Sequence, residues 1–215
     1  MGNPGLQPQY STSAELGYKA SWARGSVYAA AFHRVVDGTI TRIATQVRGS
    51  ALLYNVFQNA GRSRSSGAEV VWQQTVSPRL SLTANANAFH CTIDAYSVVN
   101  QYPTPVTFAA PREGLTSGTV KVNAVAMLPR LWQVQVSNVY LAPDLLPQGR
   151  IGSRFSLDVG MKKSVQQGRG EIVVNATDLL NTNQAERTIR GSGFRVVSKD
   201  DLETQVIRAG YTRKF

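Results

Sequence analysis

From Tyr10 to Trp22 the chain alternates without a fault. Tyr10, Thr12, Ala14, Leu16, Tyr18, Ala20 and Trp22 take one set of positions, and Ser11, Ser13, Glu15, Gly17, Lys19 and Ser21 take the other. A period of two puts these sets on opposite faces of a strand. Thirteen residues is long beside the usual five or six. The same alternation returns where Leu80, Leu82, Ala84 and Ala86 interleave with Ser81, Thr83, Asn85 and Asn87, and again around Trp132–Ser137 and Phe155–Lys162. Helical spacing competes nowhere. The pattern predicts nine strands, at about 10–22, 26–37, 52–76, 80–92, 117–128, 131–141, 153–164, 170–178 and 204–215.

The connections sort into two kinds. Ala23-Arg24-Gly25, Ser77-Pro78-Arg79, Leu128-Pro129-Arg130 and Gln167-Gly168-Arg169 are short, while about 38–51, 93–116, 142–152 and 179–203 are long. Short and long alternate strictly, as in a transmembrane β-barrel with tight periplasmic turns at one rim and long outer loops at the other. The expected fold is therefore all-β, an antiparallel up-and-down transmembrane barrel. Trp22, Trp72 and Trp132 all fall near short turns, and with Tyr28 and Phe215 they are expected to form an aromatic girdle at one membrane interface. Arg24, Arg79, Arg130 and Arg169 in those turns are placed to meet lipid phosphates.

Composition narrows the chemistry. The 215 residues are 42% hydrophobic and 17% charged, with a net charge of +10. No Lys/Arg run exceeds two residues, so the charge suits anionic surfaces such as lipid head groups, and no nucleic-acid partner is expected. Cys91 is the single cysteine, and His33 and His90 are the two histidines. That excludes an internal disulfide framework and multi-cysteine metal sites. No catalytic constellation, metal site or cofactor is expected, and His33 and His90 read as rim or interfacial residues. Glu15, Lys19, Glu69, Asp158, Lys162 and Glu171 fall on the face opposite the apolar one, where charges line a lumen. The start of the chain has no charged and apolar leader pattern. The stretch Asn100–Leu115 contains three prolines and shows no usable periodicity. It lies in the longest outer loop but one, and loops on a rigid scaffold are where binding concentrates. Tyr96, Tyr102, Phe108 and Arg112 are the candidate ligand-binding residues there.

Several segments resemble those of TonB-dependent outer-membrane receptors. Asn3–Lys19 (NPGLQPQYSTSAELGYK) is similar to that family's Asn-Pro-x-Leu-x-Pro-Glu…Glu-x-Gly segment, with Gln9 in place of the usual Glu. Asn59–Val70 (NAGRSRSSGAEV) resembles an Asn-x-Gly-x-Ala-Arg-x-x-Gly-x-Glu strand, matching at Asn59, Gly61, Arg64, Gly67 and Glu69. Asn175–Thr182 (NATDLLNT) is similar to an Asn-x-x-Asp-Leu-Phe-Asn segment. Ile207, Tyr211 and Phe215 resemble the C-terminal signal read by the barrel-assembly machinery, with Arg213 where an aromatic is usual.

The resemblance implies capture of a scarce nutrient, such as an iron chelate or an oligosaccharide, at a Gram-negative outer membrane. The implied partners are outer-membrane lipids, the assembly machinery, the plug and further strands of the same receptor, and an inner-membrane energy-coupling protein. In such a barrel the last strand descends to the periplasm. Counting back through nine strands, the first descends too. Bacterial single-chain barrels have even strand numbers, so residues 1–215 are expected to be the C-terminal part of a larger barrel, with plug and signal peptide absent. A small complete barrel or porin-like protein is the second expectation, and a soluble β-sandwich or lipocalin-like protein the third.

Overall fold

The computed structural model describes residues 2–47, 49–101, 105–200 and 203–213. Its main feature is one antiparallel sheet of nine strands. In spatial order these are β1 (Tyr10–Trp22), β2 (Gly25–Gln46), β3 (Leu53–Ser77), β4 (Leu80–Ile93), β7 (Glu113–Leu128), β8 (Trp132–Leu141), β11 (Arg154–Val165), β12 (Gly170–Thr177) and β15 (Val206–Arg213). Each pairs with its predecessor in the meander. All nine expected strands are present, and the four short turns lie at one end. At the turn after β11, Gln166 and Gln167 both have positive φ, which suits the twist of a tight hairpin. Among the described residues nothing pairs with the free edge of β1 or of β15, so the sheet is open.

The register makes one face continuous. Tyr18 lies opposite Ala29, then Val70, Ala86, Val120, Tyr140 and Phe155 across seven strands. Directly opposed residues share a face, so this row is apolar from end to end. A parallel row runs through Leu16, Ala31, Ala68, Ala88 and Gly118. The sheet is a single layer, and Leu16 and Tyr18 are 81% and 72% exposed. Water would not tolerate such a surface at this extent, whereas hydrocarbon favours it.

The four long connections depart from expectation. None is structureless. Residues 93–116 contain a hairpin, β5 (Tyr96–Asn100) with β6 (Val106–Ala110), and β7 begins at Glu113 rather than 117. The prolines that hide this hairpin in the sequence border it, with Pro105 just before β6 and Pro111 just after, as strand ends allow. The other two long connections supply β9 (Asp144–Leu146) with β10 (Gly149–Ile151), and β13 (Ala185–Gly191) with β14 (Phe194–Asp200). These four form a second sheet in the order β14-β13-β10-β9. The expected loop at 38–51 is mostly strand as well. β2 and β3 stay paired as far as Gln46 and Leu53, interrupted where Gly38 (φ 65°) and Gly61 (φ 28°) break the ladder. Both φ values favour glycine, so the break is a bend inside a long hairpin and not its end.

Packing follows from this. Of the buried hydrophobic residues, Ile43, Ala44, Ala60, Ile93, Phe108 and Leu145 all lie toward the outer end. β5 packs on β3, β9 on β7, and β13 on β2. Apart from Ala30 in β2, the buried hydrophobic residues thus lie at the outer end, where the outer parts of β2, β3 and β4 meet the loop strands.

Candidate functional site: the outer assembly

Side-chain amides stitch the assembly together. Gln148, in the turn between β9 and β10, accepts from the Ala44 N–H at 2.7 Å and donates to the Ala44 carbonyl at 2.7 Å. Its own carbonyl accepts from the Arg190 N–H at 2.9 Å. One glutamine therefore joins β2, the β9–β10 hairpin and β13. Asn100 does the same for β5, donating to Thr45 Oγ1 at 2.9 Å while its Oδ1 accepts from Gln58 at 2.5 Å. Gln58, Asn100 and Gln148 are 8%, 1% and 7% exposed, so each bond is shielded and each missing partner would be costly. The N-terminal segment is tied on in the same way. Asn59 Oδ1 accepts from the Gln7 N–H and its Nδ2 donates to the Gln7 carbonyl, both at 2.9 Å.

Two of the candidate ligand-binding residues come together as packing. Tyr96 and Phe108 meet edge to face, with ring centroids 5.9 Å apart, and Phe108 is buried. The Tyr96 hydroxyl donates to the Pro147 carbonyl at 2.6 Å. Burial, and then the charge of Glu113, push its pKa up, so it stays a donor. Arg112 is exposed and lies 3.8 Å from Asp94, which also receives Arg64 at 2.9 Å. Tyr102 lies outside the described residues. We expect Tyr96→Phe to loosen the β9–β10 hairpin by about 1–2 kcal/mol, because the Pro147 carbonyl loses its donor. Limited proteolysis within 142–152 measures this, and an unchanged cleavage rate would show that the bond is idle.

Between β6, the start of β7, the β9–β10 hairpin and β13 lies a cavity of about 520 Å³. Phe108, Pro111 and Pro147 give it apolar wall, while Glu113, Gln148, Arg150, Thr188 and Arg190 give it polar groups. Of the sequence candidates among the described residues, only Phe108 lines it. Arg150, Thr188 and Arg190 were not legible, because their strands are three and seven residues long, and Pro111, Pro147 and Gln148 lie between strands. A size of 300–1,000 Å³ with mixed lining is usual for small-molecule sites.

Elsewhere the register sorts the remaining candidates. Trp22, Trp72 and Trp132 all lie on the apolar face at the short-turn end, opposite Gly25, Val27 and Leu128 respectively. Trp22 Nε1 donates to Gln74 Oε1 at 3.0 Å, and Lys163 Nζ lies 4.8 Å from the Trp132 ring centroid. Tyr28 is corrected. It lies opposite Lys19 and Val71, on the charged face, and its hydroxyl donates to Glu15 at 2.7 Å. A girdle residue must face lipid, and Tyr28 faces the other way. Glu15, Lys19, Glu69, Asp158, Lys162 and Glu171 share that polar face, with Lys162 and Glu171 paired at 2.7 Å. His33 and His90 lie on the apolar face toward the outer rim, each bonded to a hydroxyl (Ser66 and Thr116). Ile207 and Tyr211 lie on the apolar face of β15, opposite Ala176 and Ile172. Phe215 lies outside the described residues.

Comparison with protein families matches residues 1–212 to the outer membrane protein beta-barrel family. Comparison with curated proteins and with solved structures gave no match.

Proposed function

The chain belongs to the outer membrane protein β-barrel family, and on that premise we propose that it is the C-terminal barrel portion of a TonB-dependent receptor in a Gram-negative outer membrane. Membership in the family removes the soluble β-sandwich or lipocalin-like alternative. The proposed role is capture of a scarce nutrient, such as an iron chelate or an oligosaccharide, and its passage inward without chemical change. The observation that carries this reading is the outer assembly. Four long connections do not hang free but build a packed structure with a cavity, which a passive pore has no need to stabilise. The open sheet supports the larger-barrel part of the proposal. Among the described residues no strand pairs with the outer edge of β1 or of β15, and a bilayer does not tolerate open sheet edges. Further strands and a plug would satisfy those edges, and an inner-membrane energy-coupling protein would drive transport.

A small complete or porin-like barrel is the second reading, and membership of the family fits it equally. It requires β1 and β15 to meet, directly or through one more strand. Cysteine pairs scanned across β1 and β15 in outer membranes separate the two. Efficient disulfide formation between these strands would establish the small barrel, and its absence at every register supports the larger one. Uptake of a limiting nutrient should cease when the energy-coupling protein is deleted. Uptake that continues unchanged would remove the receptor proposal.

A further inference from the structure

We propose that the outer cavity is an anion site, in which Arg150 and Arg190 hold the carboxylate or phosphate of a soluble small molecule and Glu113 occupies part of that place until it arrives. The proposal names a ligand class for the receptor reading, and rests on it only in taking the cavity to face the external medium. The cavity carries two guanidinium groups and one carboxylate. Arg150 Nη2 lies 3.5 Å from Glu113 Oε2, with the two side chains 51% and 37% exposed. That is longer than the usual 2.7–2.9 Å of a charge-assisted bond, so the pair is loose and exchangeable. Arg190 has no acidic partner among the described residues.

The strand register adds an independent argument. Arg190 lies directly opposite Arg195 across β13 and β14, a like-charge pairing that destabilises a sheet. Four residues away on the same face, Glu186 lies opposite Lys199, so this ladder does use opposite charges. The repulsive pair occurs beside the cavity, and a bound anion relieves it. The Arg190 backbone is anchored to Gln148, whose side chain is committed to Ala44, so one guanidinium is mounted on a fixed floor. Guanidinium groups take carboxylate or phosphate in a planar, bidentate fashion. Phe108, Pro111 and Pro147 then cover a carbon body attached to the anion. Arg150 and Arg190 stand on the separate four-stranded sheet and not on the spanning one, which assigns the occupant to solution rather than to a lipid head group.

Isothermal titration of citrate and of pyrophosphate into the protein, purified from outer membranes in non-ionic detergent at low salt, tests the site. Binding of at least one probe is expected, weakening as salt is raised. Arg150→Gln and Arg190→Gln should each weaken it by about tenfold or more, and Glu113→Gln should tighten it. Arg187→Gln, on the opposite face of β13, should leave it unchanged. Arg190→Gln should also keep or raise the unfolding temperature in anion-free buffer, which a merely structural arginine would not do. Failure of both probes to bind, or weaker binding in Glu113→Gln, would overturn the site. Displacement of the probe by anionic phospholipid vesicles would overturn the assignment to a soluble ligand. If the probes bind as expected while uptake proves independent of the energy-coupling protein, the receptor reading falls and the anion site stands.

Discussion

Val70→Arg should destabilise the protein in lipid by roughly 2–4 kcal/mol, whereas Val71→Arg, one residue on, should cost little. Both positions start as valine in the same strand, so composition and propensity cancel. Val70 lies in the apolar row between Ala29 and Ala86, about midway between the short turns and the outer rim. An arginine there has only hydrocarbon around it and must bend the bilayer or stretch toward an interface. Val71 lies between Tyr28 and Asn85 on the face that carries Glu15 and Glu69, where carboxylates and water are at hand. Folding equilibria in lipid vesicles, followed by tryptophan fluorescence, would show the difference. Equal costs at the two sites would mean that the faces have been misassigned and would remove the spanning-sheet account.

Asp178→Ala is expected to cost roughly 2–4 kcal/mol, since it leaves three part-buried donors without their acceptor at once. Asp178 is 1% exposed. Its Oδ1 accepts from the Thr182 N–H at 3.0 Å, and its Oδ2 accepts from the Asn183 N–H at 3.2 Å and from the Thr204 hydroxyl at 2.5 Å. The carboxylate thereby closes the turn after β12 and pins it to the segment that enters β15. Asp178 and Asn181 both hold positive φ in this turn, a conformation that Asp and Asn adopt more readily than other residues with a side chain.

The same bonds set a pH dependence. Burial pushes the Asp178 pKa up, but the Thr204 hydroxyl and the two backbone amides outweigh it and hold the carboxyl below its ordinary value. A depressed folded pKa means that the unfolded chain takes up the proton first. The contribution is therefore complete above about pH 4, the ordinary carboxylate range. It is lost as pH falls through the folded value. Asp178→Asn keeps one acceptor and should lose less stability than Asp178→Ala. The gap between wild type and Asp178→Asn should be constant near neutrality and shrink in acid. A gap that widens in acid would contradict the assigned charge state.

The residues that made the sequence look familiar prove to be joints. Asn59 bonds the backbone of Gln7 across 52 positions, which brings two of the resembling segments into contact. A Cβ at Gly67 would come within 2.4 Å of the Ala88 carbonyl oxygen, so only glycine lets β4 approach there. The resemblance marked these positions, but only the coordinates show what each one holds. Gln58, Asn100 and Gln148 carried no mark at all. A glutamine in Leu-Pro-Gln-Gly reads as any turn residue until Ala44, 104 positions away, appears beside it.

What the sequence determined by itself was the spanning sheet: nine strands, their order, the sides of the tight turns and the two faces. The physical reason is that a membrane strand must present an apolar side chain at every second position, so its identity is written locally and repeats for ten residues or more. Tyr28 was misplaced because only the register with Lys19 reveals its face. What the tertiary structure alone decided was the outer assembly. Its strands are too short to show a period, its hairpin in 96–110 is masked by prolines, and its stability comes from contacts with residues tens of positions away. Long-range packing of this kind leaves no local pattern, so the cavity and its arginines became visible only once the loops were folded together.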